Sequence, residues 1–338
     1  MGINFAPIRI GPIDIPEPVM LAPMSAVTDM PFRRAVKRCG AGLVISEMIA
    51  SQAMIRETRD ALLRATHGPD ERPISVQLAG CEPREMAEAA KLAEAGGAAI
   101  IDINFGCPAK KVVNGYAGSA LMRDELKAAR ILEATVGAVS VPVTLKMRLG
   151  WDDKNRNAPS LARVAEECGI RMISVHGRTR CQFFEGKANW AAVRPVKDAV
   201  SVPVMVNGDI NNLDDARRAL EESGADGVMI GRGAQGRPWF LRQVAHFLAT
   251  GVRLPDPSTA DRMDILLEHY DAILAHYGAA IGVRVARKHL GWYSKGLSGA
   301  SEFRATANRM DDPQDVRAAV RSLFGRGIEN GPSERQAA

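Results

Sequence analysis

Ile100-Ile-Asp-Ile-Asn104 is a short apolar run that ends in an amide, and Phe-Gly-Cys-Pro follows it. Gly106 and Pro108 break the strand, which leaves Cys107 on a turn just beyond a strand's carboxyl end. That is where parallel α/β folds gather their chemistry. A thiol so placed can serve as a compact acid, and it can equally be a residue caught in a tight turn. Chemically capable residues end the other apolar runs too: Pro23-Met24-Ser25, Ser46-Glu47-Met48, Gln77, Lys146 with Arg148 two residues on, His176-Gly-Arg178, Asn207-Gly208-Asp209 and Gly231-Arg232-Gly233. Each alone has a structural reading, since lysine stems pack, histidines cap and Asn-Gly-Asp is a turn. Their coincidence at one end of every run asks for a fold that pools those ends in one cavity.

The rhythm of the chain predicts such a fold. Strands are expected at Val19–Met24, Leu43–Met48, Ile74–Leu78, Ile100–Asn104, Val143–Met147, Met172–His176, Val204–Asn207 and Gly227–Ile230. Each is nearly all apolar, as parallel strands buried on both faces should be. Between them lie amphipathic helices such as Arg84–Ala95, Glu125–Val136, Pro159–Cys168 and Asp214–Ser223, several stopped by glycine. Eight strands alternating with helices predict a TIM (β/α)8 barrel. A doubly wound sheet is the alternative, but no GxGxxG follows the first strand. Ile8, Ile10, Ile13 and Ile15 alternate around Gly11-Pro12 as a small hairpin.

Beyond Leu254-Pro-Asp-Pro-Ser258 the strand signals stop and helical periodicity takes over, over 260–277, 282–295, 300–309 and 313–324. The expected organisation is a barrel over 1–253 with its hairpin in 1–16, a helical bundle over 258–325, and a disordered tail over 326–338.

The 338 residues are 46% hydrophobic and 25% charged, an ordinary globular composition. The net charge of +5 is compatible with a polyanionic partner without requiring one. Five scattered cysteines without a CxxC pair point to neither disulfides nor structural zinc, so no metal site is expected and a reducing cytoplasm fits. No signal peptide, acylation signal or run of about 20 apolar residues is present, so no membrane attachment is expected.

Glycines 208, 231 and 233 with Arg232 follow the last two expected strands, where TIM barrels commonly bind phosphate. With Gln77 and Lys146 available for a polar heterocycle, a phosphorylated flavin fits better than a sugar phosphate. Lys146 would offset the charge that gathers on the N1–C2=O edge of the ring system on reduction.

With these residues on view, the chain resembles the tRNA-dihydrouridine synthases, FMN enzymes, and specifically their bacterial B-type branch. The motifs that carry the likeness are Leu21-Ala-Pro-Met24, Gln77-Leu78, Asn104-Phe-Gly-Cys-Pro-Ala-Lys-Lys-Val112, Gly118-Ser-Ala-Leu121, Lys146-Met-Arg148, His176-Gly-Arg-Thr179, Asn207-Gly-Asp-Ile210, Gly231-Arg232 and Arg287-Lys-His-Leu-Gly-Trp-Tyr293. Asn114-Gly-Tyr116 departs from the family, which often has another lysine there. The resemblance implies reduction of the uracil C5–C6 bond in tRNA, with NADPH reloading the FMN. Carried over, the FMN contacts are Pro23, Met24, Ser25, Gln77, Lys146, His176, Asn207, Gly208, Asp209, Gly231 and Arg232. It further implies hydride transfer from flavin N5 to uracil C6 and protonation of C5 by Cys107 from the opposite face. Asn104, Arg148 and Arg178 are then expected to hold the uracil carbonyls.

Arg284, Arg287, Lys288 and Lys295 recur at spacings that bring most of them to one helix face, interleaved with Trp292 and Tyr293. That face is either an RNA-docking surface, with Arg287 and Lys288 on phosphates, or simply solvated. Three rival functions remain: an FMN barrel oxidising or reducing a free pyrimidine in the manner of dihydroorotate dehydrogenase, a non-catalytic tRNA-binding barrel, and a Schiff-base aldolase using Lys146.

Overall fold

The computed structural model describes residues 5–329. They divide into two compact units. One runs to Gly233 and takes in Leu241–Arg253, and the other takes Ala234–Phe240 and the described residues from Leu254 onward.

The first unit is a closed barrel of parallel strands. Its chain order is the hairpin β1 (Ile8–Ile10) and β2 (Ile13–Ile15), then β3 (Val19–Leu21), β4 (Leu43–Ile45), β5 (Ile49–Ala50), β6 (Ile74–Ala79), β7 (Ile100–Phe105), β8 (Val143–Arg148), β9 (Ile173–His176), β10 (Val204–Asn207) and β11 (Gly227–Ile230). Hydrogen bonding runs β4-β3-β11-β10-β9-β8-β7-β6, and β4 pairs with β6 to close the ring. Burial of both faces explains the apolar runs: every residue of β6, β7 and β9–β11 is buried.

The expected hairpin is present, with Ile8 opposite Ile15. Its isoleucines join Leu43, Ile100, Met172, Met205 and Met229 in one buried cluster. Leu43, Ile100, Met172 and Met205 stand at or next to the amino ends of their strands, so the hairpin closes that end of the barrel and leaves the carboxyl end for the site.

Two strands differ from their expected spans by more than one residue. β3 stops at Leu21, because the Met24 carbonyl accepts from the Val27 and Thr28 amides in a tight turn. The second barrel strand is split into β4 and β5. Between them the Ser46 hydroxyl, rather than a backbone carbonyl, accepts from the Gln77 amide at 3.0 Å.

The helices follow their signals. Helix Pro83–Ala95 has proline in its first turn, buries Met86, Ala89, Ala90 and Ala93 along one stripe, and ends at Gly96. Helix Leu213–Ser223 opens on a capping box of Asn212 and Asp215 and closes on Gly224 in the left-handed conformation.

The second unit contains helices Thr259–Tyr277, Ala279–Tyr293, Ala300–Ala307 and Pro313–Glu329. Ser258 and Asp261 form the capping box that starts the first. The second begins at Ala279, earlier than the expected 282. Gly282 is not its boundary but a point of close approach, where a Cβ would lie 3.0 Å from Leu274. The last helix continues past Phe324 to Glu329, so 326–329 are helical where a disordered tail is expected; the rest of that tail lies outside the described residues.

Candidate active site

β7 carries the central constellation. Asn104 Oδ1 accepts the amides of Gly106 (3.0 Å) and Cys107 (2.8 Å), so one side chain folds the turn that presents the thiol. Asn104 Nδ2 donates to Gln77 Oε1 at 2.8 Å, and Gln77 Nε2 donates to Asp102 Oδ2 at 2.6 Å. Thr144 Oγ1 donates to the other Asp102 oxygen at 2.6 Å. A buried chain of hydrogen bonds therefore runs from the barrel interior to the turn, fixing the amide orientations of Gln77 and Asn104. From the far side, Ser119 donates to the Cys107 carbonyl through its amide (3.1 Å) and its hydroxyl (2.8 Å). Cys107 is half-buried at this junction.

Asp102 was absent from the expected site, although its signal is in the sequence. An acidic residue inside an otherwise apolar buried strand, two positions from Asn104 and hence on the same face, is an anomaly that needs a partner. Burial raises its pKa, while the donors Thr144 and Gln77 and the Lys146 charge oppose the rise.

On the neighbouring strand β8, where Lys146 is the register partner of Asn104, Lys146 Nζ donates to Asn207 Oδ1 at 3.1 Å, and Asn207 Nδ2 donates to the Met229 carbonyl at 2.7 Å. Burial draws the Lys146 pKa down to about 8; Arg148 adds to the effect, and Asp102 and Cys107 oppose it. His176 is buried, and its Nδ1 has no hydrogen-bond partner. Burial, then Lys146, Arg148, Arg178 and Arg232, push its pKa well below 6.5, so the ring is neutral at neutral pH. Gly208, at φ +117°, lets the chain pass this ring: a Cβ there would lie 2.8 Å from Ala188 and 3.3 Å from the imidazole.

The arginines divide by role. Arg148 donates to the carbonyls of Gly106 (2.8 Å), Thr179 (2.9 Å) and Phe183 (2.8 Å). Arg178, 1% exposed, donates to the Glu185 and Gly186 carbonyls at 2.9 and 2.7 Å and to both oxygens of Asp209. Both guanidiniums brace the loops beyond the strand ends, and these bonds leave both Nη2 hydrogens of Arg148 and one Nη1 hydrogen of Arg178. Arg232 is more than half exposed and pairs with Asp209 at 2.8 Å. Burial alone would raise the Asp209 carboxyl, but donors from Arg178 and the Ala188 amide, with both arginine charges, hold it below the ordinary carboxylate range.

Pro23 and Met24 are half-buried and Ser25 is exposed on the turn after β3. Gly231 follows β11 close to that turn, since a Cβ on it would sit 3.5 Å from the Met24 sulfur. The expected residues of the barrel thus lie within two residues of a strand's carboxyl end or just beyond it.

In the helical unit, Arg287, Lys288, Gly291, Trp292, Lys295, Arg304 and Asn308 line a cleft of about 500 Å³. Arg287 also donates to the Met310 carbonyl and to Asp311, both at 3.1 Å. Tyr293 is buried, its hydroxyl 3.3 Å from His269 Nδ1, so it belongs to the core and not to the basic face. Arg304 and Asn308, from the next helix, were not anticipated, because the cleft forms only when two helices pack.

The dihydrouridine synthase family model matches residues 20–327. A probable tRNA-dihydrouridine synthase of Rickettsia conorii is 57% identical over 94% of this chain and 96% of its own length. The tRNA-dihydrouridine synthase B of Xanthomonas axonopodis pv. citri is 53% identical over 96% and 98%, and that of Pseudomonas aeruginosa 49% over 96% and 98%. Among solved structures, a 2-naphthoyl-CoA reductase shares the fold at a TM-score of 0.55 and 12% identity, covering 72% of this chain; this chain spans about half of it, 52%. With motif, barrel and sequence similarity in agreement along nearly its whole length, the chain belongs to the dihydrouridine synthase family.

Proposed function

We propose that the protein reduces uridines in tRNA to 5,6-dihydrouridine, with FMN held at the carboxyl end of the barrel and NADPH as the reductant. The observation that carries the reading is the Cys107 turn, which Asn104 and Ser119 hold from two sides at the carboxyl end of the barrel, with Lys146 on the adjacent strand. Bound there, the flavin supplies hydride for uracil C6.

The residues fit such a group. His176 Nδ1 is a buried polar atom without a partner, and Lys146 places a cation where a polar heterocycle edge would gain charge. Arg232 is exposed and aimed by Asp209, as a phosphate-binding fork should be. In the reaction the Cys107 thiol gives its proton to C5 and the resulting thiolate takes one back from solvent. Asn104, Gln77, Arg148 and Arg178 act by holding the loops that set this geometry; Asn104 retains one amide hydrogen for a uracil carbonyl.

The helical cleft, with four basic side chains around Trp292, supports a polyanionic substrate over a free pyrimidine. No described helix is long and apolar enough to cross a membrane, and a cytoplasmic location goes with a tRNA substrate.

The test is to incubate the purified yellow protein with NADPH and an unmodified tRNA transcript and to measure dihydrouridine in the digested RNA. Formation of dihydrouridine is the expected result. A protein that oxidises NADPH and reduces a free pyrimidine, yet leaves the tRNA unchanged, would support the dihydroorotate dehydrogenase-like rival instead.

A further inference from the structure

On the barrel rim the guanidinium carbons of Arg123 and Arg180 both lie over the ring of Trp151, each 4.7 Å from its centre. Arg180 also lies 4.8 Å from the ring centre of Phe183. The exposed arginines Arg34, Arg217, Arg218 and Arg253 all pair with carboxylates. Arg123 and Arg180 make no such pair among the described residues, and Arg180 Nε is buried without a partner. The nearby acids are already engaged: Asp152 Oδ1 accepts the amides of Lys154 and Asn155, both at 2.9 Å, and Asp153 pairs with Arg156 at 2.6 Å.

The platform is fixed by its backbone. The Arg180 amide donates to the Gly150 carbonyl and the Cys181 amide to the Trp151 carbonyl, both at 2.9 Å, which joins the loops after β8 and β9. Arg123 ends the segment Gly118–Arg123, whose Ser119 bonds the Cys107 carbonyl. The cluster therefore shares its walls with the candidate active site.

We infer that Arg123, Trp151 and Arg180 form a phosphodiester clamp for the single-stranded RNA flanking the uridine that enters the barrel. The inference rests on the tRNA reading and adds a docking site to it. A guanidinium stacked on an aromatic ring is held in orientation while its N–H edge stays available for phosphate oxygens. A base that reaches Cys107 must leave its stack, so its neighbouring phosphates pass over the adjoining rim. Two guanidiniums on one indole, unneutralised by carboxylates, provide what that strand requires: charge, direction and little ordering on binding.

The experiment measures tRNA affinity against salt for the purified protein, for R123A/R180A and for R123K/R180K, with flavin content and circular dichroism confirming the fold of each. The alanine pair should raise the dissociation constant about tenfold or more. It should also flatten the slope of log K against log salt by about 1.4, the share of two single-strand phosphate contacts at about 0.7 each. The lysine pair should keep the slope. Wild-type affinity and slope in the folded alanine pair would overturn the clamp while leaving tRNA reduction standing, and so would a slope that lysine does not restore. A wild-type protein that binds no tRNA would remove the clamp together with the functional reading.

Discussion

Cys107 can donate a proton only if its sulfur is held against the reacting ring, and four hydrogen bonds hold its turn: two into Asn104 Oδ1 and two from Ser119. Cys107→Ala leaves these backbone contacts in place, because none of them uses the sulfur. The variant should therefore fold, keep its flavin and bind tRNA, yet lose about 10²-fold or more in turnover, the usual scale of general acid catalysis. Single-turnover reoxidation of prereduced protein by tRNA is the measurement, and near-wild-type reoxidation with dihydrouridine formed would make Cys107 a turn residue only. Lys146 makes a second prediction. Its folded pKa is about 8, below the 10.5 of an unperturbed lysine. The unfolded chain thus holds a proton that the folded one has released between those values, so stability rises with pH through that window, and the cost of the buried charge is present in full below about 8. The chemistry runs the other way, since the cation that offsets charge in the site is lost as pH rises through about 8. Flavin reduction by NADPH should slow over that range, and Lys146→Arg, which stays charged, should move the decline to higher pH. A flat wild-type profile would show that the Lys146 charge takes no part.

The segment after β7 shows how an element can serve one atom. Gly118 has φ +60°, and a Cβ on it would lie 2.9 Å from the Cys107 carbonyl oxygen and from Val112 Cγ1. Gly118→Ala should cost roughly 1–2 kcal/mol in left-handed strain, with steric displacement added to it. Turnover should fall with tRNA affinity nearly unchanged. Thermal unfolding and single-turnover rate check the two halves; a rate equal to wild type would show that the close approach is incidental. This segment was legible as a motif, and its mechanical role was not, because the spacing of Cys107 and Gly118 says nothing of their approach in space. The barrel strands were legible for a plain reason: burial on both faces writes continuous apolar runs. The site was legible where one residue type at a strand end implies a direction, as with Lys146 and Asn207. It was hidden where donors are shared out. Arg148 and Arg178 read as substrate ligands, and only the structure shows that their guanidiniums also hold loop carbonyls and, for Arg178, Asp209. Asp102 lies hidden inside its apolar strand, where a lone carboxylate demands the partners that Gln77 and Thr144 supply.

At the scale of the whole chain, the net charge of +5 matters less than where the cations collect. In the helical unit basic side chains collect around one cleft: Arg287, Lys288, Lys295 and Arg304 line it, with Arg287 paired to Asp311 outside the lining. Arg287 is in part a brace, since it bonds Met310 and Asp311, so its removal alone would mix a packing effect with a charge effect. Lys288 is half-buried on the helix Ala279–Tyr293, Lys295 is exposed on the turn just past its end, and both line the cleft. The prediction therefore uses two variants, R287A/K288A and K288A/K295A. Each should raise the tRNA dissociation constant several-fold and reduce the salt slope by about 0.7–0.9 for every phosphate left without its cation. If packing around Met310 and Asp311 were the only contribution, R287A/K288A would melt earlier and K288A/K295A would bind as wild type. Weaker, less salt-dependent binding in both, with melting unchanged in the lysine pair, is the outcome that makes the cleft an RNA surface. Unchanged affinity and slope in both would return this face to the solvated charge run that its sequence alone could equally describe.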